Sequence, residues 1–365
     1  MASIKESLKQ KSWIVGAYTG FRSSYYVLRG GGADFLHHKK EYHRQREASE
    51  RAVLREVAEG ADHFEKNCCP VCASRDVIER FENKVGFSFA ICERDGTIYM
   101  DPVPTESTLA RLYNDSAYSY HWTEGSEVDQ VQVKPGNHDD FDAILRMLPE
   151  KNRRLRMLDV GCATGAFMLT ARQAFEVEGV ELNETSAAVA RCQGLIVHGG
   201  RLGDLEGRKQ YDLITMLQLI EHIRAPRELL REAGQLLSPN GYLYIATPNI
   251  DSASFEYLKE QHMHVSSFAH VSLFTRESLL GLASQCGFAL VHHEYYGGLD
   301  IALHDIVTFK FWPDRFYHRM SLYKPRLYHA SNLMDWLTGG LLRHQATPKG
   351  NPSYQRVLFR KVGQG

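Results

Sequence analysis

From Asp139 onward, apolar segments of two kinds alternate along the chain. Strand-like segments fall at Leu155–Val160, Glu176–Glu181, Leu195–His198, Tyr211–Leu217 and Tyr242–Ala246. Helix-period segments fall near Phe141–Leu148, from Gly165, at Glu184–Cys192 and at Pro226–Leu237. A helix over Arg276–Cys286, a strand at Phe288–His293 and a last strand at Tyr354–Arg360 complete the series. Strands alternating with helices predict a mostly parallel sheet covered on both faces, an α/β architecture.

The earlier chain has a different pattern. Short β-like pieces, Val85–Ala90 and Thr97–Met100, surround four clustered cysteines. Thr105 caps a short helix running through Leu109, Leu112 and Tyr113, and Ser116–Asn137 is a polar, aromatic loop that covers an active site. Gly30-Gly31-Gly32 breaks the chain before a charged, solvated helix over 33–59. Residues 301–350, rich in Tyr, Phe, His and Arg, read as an insertion. The expected organisation is a helical N-terminal segment (1–62), a small cysteine-bearing module (63–104), a linker helix and loop (105–138) and the α/β domain (139–365) with its insertion at about 300–350.

Composition narrows the function classes. The chain has 365 residues, 43 basic against 44 acidic, for a net charge of −1. Bulk charge gives no reason to expect nucleic acid, and favours a neutral or modestly charged small acceptor. The first 30 residues interleave Lys5, Lys9, Lys11, Arg22 and Arg29 with Trp13, Tyr18, Phe21, Tyr25 and Tyr26. They read as a packed helix, with a peripheral membrane or acidic-partner contact as the alternative. No segment has a signal-peptide core or the roughly 20 apolar residues of a membrane span. The expected location is cytoplasmic. The seven cysteines are odd in number and locally clustered, which favours reduced thiols or a metal over a disulfide framework.

The strongest chemical signal is Arg156-Met157-Leu158-Asp159-Val160-Gly161-Cys162-Ala163-Thr164-Gly165. An apolar strand ends in a turn of small residues and opens a helix. Gly161 and Gly165 permit close backbone approach to a ligand. The next strand delivers Glu181, placed to accept both hydroxyls of a ribose. The turn is not the dinucleotide G-x-G-x-x-G, because Ala163 holds the middle position. Asp159 opposes a pyrophosphate and suits a cationic ligand, which tilts the reading from NAD to S-adenosylmethionine.

From about Asp139 to Phe288, with the closing strand, the chain resembles a class I S-adenosylmethionine-dependent methyltransferase. Further matches are Tyr211–Thr215, Leu219-Ile220-Glu221-His222-Ile223, and Asn240–Asn249, where Asn240 replaces a glycine. The resemblance implies a Rossmann-like seven-stranded sheet. It places Asp159, Gly161, Cys162, Ala163 and Gly165 around the methionine part of the cofactor, and Glu181 with Leu182 at the ribose. Gly200-Arg201-Leu202 flanks the adenine, with Gly203-Asp204-Leu205 as a rival register. Gln218 joins the cofactor contacts.

Cys69-Pro70-Val71-Cys72 and Cys92-Glu93-Arg94-Asp95 have zinc-ribbon spacing, with Asp95 where a fourth cysteine is expected. Cys68 and His63 are alternative fourth ligands. The following Asp101–Ser107, Leu109 and Tyr113 resemble the segment that joins a zinc-binding ribbon to the fold in methyltransferases acting on sugars and related metabolites. A structural Zn2+ is expected, and a sugar or glycan-precursor hydroxyl is the first acceptor. A quinone- or phenol-like ring, or a carbon or nitrogen nucleophile, is the alternative, as is a non-catalytic scaffold that keeps the cofactor fold. Candidates for the acceptor's base are His222, just after a strand end, and His270, in Phe268–Thr275. His262 and His264 with His270 form an alternative metal grouping. His292 and His293 are read as structural or solvated.

Overall fold

The structure is a computed structural model. It describes residues 48, 51–52, 64–83, 86–109, 131, 133, 135–149, 154–205, 207, 210–252, 255, 260, 262, 264–265, 269–296 and 352–362. Most of the expected N-terminal helical segment, most of the 105–138 linker and the 300–350 insertion lie outside these residues; residues 48, 51 and 52 of the expected 33–59 helix are helical. Among the described residues, no helix is long and apolar enough to cross a membrane.

The leading elements are β1 (Phe64–Glu65), β2 (Val77–Glu82), β3 (Ser88–Cys92), β4 (Ile98–Met100) and β5 (Val103–Pro104). The α/β series follows: α1 (Pro135–Met147), β6 (Arg156–Val160), α2 (Ala166–Ala171), β7 (Glu176–Glu181), α3 (Glu184–Cys192), β8 (Ile196–Gly199), β9 (Tyr211–Leu217), α4 (Pro226–Leu236) and β10 (Leu237–Pro248). The chain closes with β11 (Ser272–Leu273), α5 (Arg276–Gln285), β12 (Phe288–Tyr296) and β13 (Tyr354–Lys361).

The predicted α/β fold is present as a seven-stranded sheet of order β12-β13-β10-β9-β6-β7-β8. The β6–β10 strands pair in parallel, and β13 runs antiparallel to both its neighbours. Successive apolar residues of one strand serve opposite faces, which is why these strands read as continuous apolar runs. Leu158, Ile214, Leu243 and Ile245 pack with Leu229, Leu230 and Ala233 of α4 and Leu279, Leu282 and Ala283 of α5. Met157, Leu213, Tyr244 and Ala246 pack with Phe141 and Ile144 of α1 and Phe167 of α2.

Two elements start five or more residues before the sequence expectation. The first helix begins at Pro135, where the missing N–H costs nothing in a first turn. The fifth parallel strand begins at Leu237, five residues early, and its register shifts before Tyr242. Asn240 sits there at φ +62°, a left-handed conformation that asparagine tolerates better than most residues.

The cysteine-bearing segment forms a second sheet, β11-β4-β3-β2. Its edge strand β11 comes from the α/β part of the chain, pairing Ser272 with Tyr99 and Leu273 with Ile98. Met100 N–H donates to Val271 O at 3.0 Å, and Val271 N–H donates to Glu221 O at 2.9 Å. Arg227 of α4 donates to Val71 O, and Arg224 pairs with Glu65. The cysteine module is thereby bonded to the loops at the carboxyl ends of the large sheet.

Candidate active site

From β6 the sheet grows to β7 and β8 on one side and to β9 and β10 on the other. The crevice at the carboxyl ends of β6 and β9 is therefore a topological switch point, where open α/β sheets bind ligands.

The β6 turn is built on left-handed backbone: Gly161 at φ +71°, Ala163 at +48° and Gly165 at +80°. A Cβ on Gly165 would lie 2.4 Å from Leu195 Cδ1, so packing as well as conformation demands glycine there. Ala163 N–H donates to Glu181 Oε2 at 2.9 Å, and Asn183 N–H donates to Oε1 at 2.7 Å. Glu181 is thus aimed across the turn by two backbone bonds, and each oxygen keeps acceptor capacity. Leu182 beside it is 52% exposed.

Asp159 is buried and accepts a 2.7 Å hydrogen bond from Thr215 Oγ1. Burial raises its carboxyl to about 7; the Thr215 bond opposes the rise, and the charges of Glu181 and Asp140 add to it. A buried carboxylate in this position gains from a cation placed against it. That observation fits the ammonium and sulfonium of S-adenosylmethionine. Cys162 is buried, and burial drives its thiol far above the usual range, so it is inert packing in the turn.

Leu202 is buried in the main core, so its side chain does not face the crevice. The Arg201 guanidinium pairs with Glu106 at 2.8 Å on the surface. Any contact of these two with an adenine is therefore left to backbone. Gln218 directly follows β9 at φ +51°; its N–H donates to Ala246 O, and its Nε2 donates to Tyr296 Oη at 3.1 Å. Gly161 is close-packed on the next residue, since a Cβ there would meet Leu219 Cδ1 at 2.9 Å. That contact joins the glycine turn to the short helix Ile220–His222.

Here the structure assembles residues far apart in sequence. The His222 and His270 rings meet edge to face with centroids 4.8 Å apart. His222 Nδ1 lies 2.9 Å from Ala269 O, and His270 Nδ1 lies 2.7 Å from His264 O. A carbonyl only accepts, so each Nδ1 carries the proton and each Nε2 is the basic nitrogen. Glu221 is fully buried; Thr247 Oγ1 donates to its Oε2 at 2.9 Å, and its Oε1 has no hydrogen-bond partner. Burial raises this carboxyl to about 8, against the effect of its own backbone N–H and Thr247. One ligand atom from each of Glu221, His222 and His270 falls within 4.8 Å of the others. The His264 ring lies tilted beside His270 and meets Tyr354 edge to face, and Tyr354 contacts Tyr296. The His262 ring also touches His264, but His262 Nδ1 accepts from His264 N–H.

The cysteine cluster is formed by one turn used twice. Ala73 N–H donates to Cys69 O and Gly96 N–H donates to Cys92 O, with Ala73 at φ +59° and Gly96 at +71°. Asp95 therefore holds in the second turn the place that Cys72 holds in the first. Cys69 Sγ lies 3.3 Å from Asp95 Oδ2, and Cys72 Sγ lies 3.5 Å from Cys92 Sγ. The four donors fall within 4.8 Å of one another. Zinc with sulfur at about 2.3 Å separates its thiolates by about 3.8 Å, so the donor set fits that ion. Burial raises the Cys69 thiol strongly and the Cys72 thiol to about 11. Burial also acts upward on Asp95, but bonds from Thr97, Cys72 and Cys69 carry it below its usual value. Cys68 stands outside the cluster, its N–H on Asn67 Oδ1. His63 lies outside the described residues.

Sequence reading missed Thr215, Glu221 and the Tyr296–Tyr354 pair as site residues. Glu221 had a visible signal, an acid beside a histidine directly after a strand end. The tyrosines had none, because β12 and β13 carry them in from a distance. His293 is half-buried on Gln355, and His292 is exposed near Glu294. A shallow cavity of about 410 Å³ along α3, lined by Glu184, Thr185, Ala188, Val189 and Cys192, contains none of the expected site residues.

Residues 136–293 match a family model described as a methyltransferase domain. A ubiquinone biosynthesis O-methyltransferase of Bordetella avium (strain 197N) is 33% identical over 110 residues, covering 27% of this chain and 45% of its own length. One of Caulobacter sp. (strain K31) is 35% identical over 105 residues, covering 26% and 41%. The chain thus spans less than half the length of these relatives. Among solved structures, phosphoethanolamine N-methyltransferase 2 of Haemonchus contortus with S-adenosyl-L-methionine aligns at TM-score 0.44 and 17% identity, over 78% of this chain and 71% of that one. Magnesium protoporphyrin IX methyltransferase of Synechocystis PCC 6803 aligns at TM-score 0.45 and 11% identity, over 71% and 100%.

Proposed function

With a Rossmann-like methyltransferase domain at its centre, we propose that this chain transfers a methyl group from S-adenosylmethionine to a hydroxyl of a small acceptor, and that the acceptor is a phenol- or quinone-like ring. The carrying observation is the buried Asp159 carboxylate beside the left-handed glycine turn, which packs through Gly161 on Leu219 of the segment that bears His222. The ring, rather than a sugar, is supported by the aromatic chain that leads away from the His222–His270 pair, from His270 to His264, Tyr354 and Tyr296. The names of the relatives point the same way. The sugar reading rests on the resemblance of the cysteine module alone.

When bound, the cofactor supplies an electrophilic methyl whose C–S electron pair returns to sulfur as the acceptor oxygen forms the new C–O bond. Asp159 neutralises positive charge where no water can. Gly161, Cys162, Ala163 and Gly165 bring backbone against the amino-acid part. Glu181 and Leu182 hold the ribose, Arg201 and Leu202 border the adenine through backbone, and Gln218 closes the turn. His270 and His222 receive the acceptor's proton at Nε2, because both Nδ1 atoms already donate to carbonyls. Residues 63–104 form a structural module in which Cys69, Cys72, Cys92 and Asp95 hold Zn2+, and β11 links that module to the His270 segment.

Calorimetry with S-adenosylhomocysteine and a methylation assay over catechol and sugar acceptors test this reading. Saturable binding and transfer to the catechol are expected. No binding at millimolar cofactor would remove the enzyme reading, and transfer to sugars alone would restore the first acceptor.

A further inference from the structure

We propose that Glu221, His222 and His270 form a second metal site, distinct from the cysteine cluster, that takes a divalent first-row transition cation. Three observations meet there. The two imidazoles have their tautomers fixed by backbone carbonyls on Nδ1, the usual way in which a metal-ligating histidine is oriented. The Glu221 Oε1 atom is buried without a hydrogen-bond partner, and its other oxygen is held by Thr247, as an outer partner holds a ligating carboxylate. A buried carboxylate oxygen left unsatisfied is costly, and an ion at this point satisfies it.

The three donors come from two segments, Ile220–His222 after β9 and the chain before β11, joined by Val271 N–H on Glu221 O. They stand within 4.8 Å, and His222 Nε2 is 4.0 Å from Glu221 Oε1. An ion with ligands at about 2.0–2.2 Å places neighbouring donors about 3–3.5 Å apart, so the side chains draw in by about an ångström. Two imidazoles and one carboxylate suit zinc, iron, cobalt or nickel rather than magnesium or calcium. Three protein ligands leave positions open for a further oxygen ligand. Resting on the methyl-transfer reading, that ligand would be the acceptor's hydroxyl, whose pKa the bound ion would lower so that its proton leaves to water; the histidines would then ligate the ion, and they take the proton themselves only when the site holds none. Binding of the ion itself does not rest on that reading.

The test is titration of the full chain with Co2+ alone, followed by visible absorption. Metal content of the purified protein is counted beforehand. One equivalent taken up with weak d–d bands and no thiolate charge-transfer band is expected. Glu221→Gln and His270→Ala should each weaken uptake at least tenfold. His270→Ala should still unfold in one cooperative transition and keep the zinc of the cysteine cluster. The proposal is overturned if Co2+ is taken up only with thiolate bands, if no uptake occurs below millimolar Co2+, or if uptake survives in both variants. S-adenosylhomocysteine binding measured on the same preparations separates the two ideas. Cofactor binding without Co2+ uptake removes only the metal site, and Co2+ uptake without cofactor binding removes only the methyltransferase reading.

Discussion

Asp159→Asn tests whether this carboxylate is the buried charge that awaits a cation. Asn is nearly isosteric and its Oδ1 can still accept from Thr215 Oγ1. The folded carboxyl titrates at about 7 against an ordinary 3.8, a rise of about 3 units or roughly 4 kcal/mol. A group whose folded pKa is raised binds more protons in the native state. Its contribution is full below the unfolded pKa, near pH 4, and is lost as pH climbs through about 7. Between about pH 5 and about pH 8 this one residue should remove about 2–3 kcal/mol from the wild-type protein and nothing from the variant. Urea unfolding without ligand, run at both pH values, reads that difference. A fixed cost of the Asn amide cancels, because it is the same at both. Glu221, raised to about 8, cancels as well because both proteins contain it. The variant should also bind S-adenosylmethionine about 10- to 100-fold more weakly at about pH 8, the worth of a charged hydrogen bond. Stability differences that stay parallel across the pH range would refute the reasoning, as would unchanged cofactor affinity.

Three further outcomes follow from the same geometry. Gly165→Ala combines a left-handed φ with a Cβ 2.4 Å from Leu195, whereas Gly194→Ala has the strained φ of +75° and open space. Chemical denaturation should therefore give a loss of about 1–2 kcal/mol for Gly194→Ala and clearly more for Gly165→Ala. His270→Ala should lower turnover by about 10²- to 10⁴-fold while S-adenosylhomocysteine affinity, measured by calorimetry, stays within about twofold. Elemental analysis should find one zinc per chain at the cysteine cluster, lost in Cys92→Ser, and hydrogen exchange at Val271 should quicken in that variant because β11 pairs with the cysteine-bearing sheet.

Much of the candidate site's local geometry was legible because its signals are local. The Asp159–Gly165 turn is one continuous stretch, and its spacing to Glu181 is set by a single helix and strand. The two cysteine turns could be read for the same reason, and the structure adds that Asp95 and Cys72 occupy equivalent places in them. The β2 strand, Val-Ile-Glu-Arg-Phe-Glu, was not legible because it is mostly exposed and carries three charges. The two-residue β11 carries no period at all.

The sequence by itself determined the order of strands and helices, the doubly covered sheet, and the carboxylate and glycine turn at its carboxyl edge. These follow from apolar periodicity and from conformations that only small residues adopt. Only the tertiary structure decided the partners of His270. Its grouping with Glu221 and His222 depends on two loops meeting above the β9 end, and on β11 tying one of them to the cysteine module. Such contacts are fixed by packing and backbone pairing between distant segments, which leave no periodic trace in the chain.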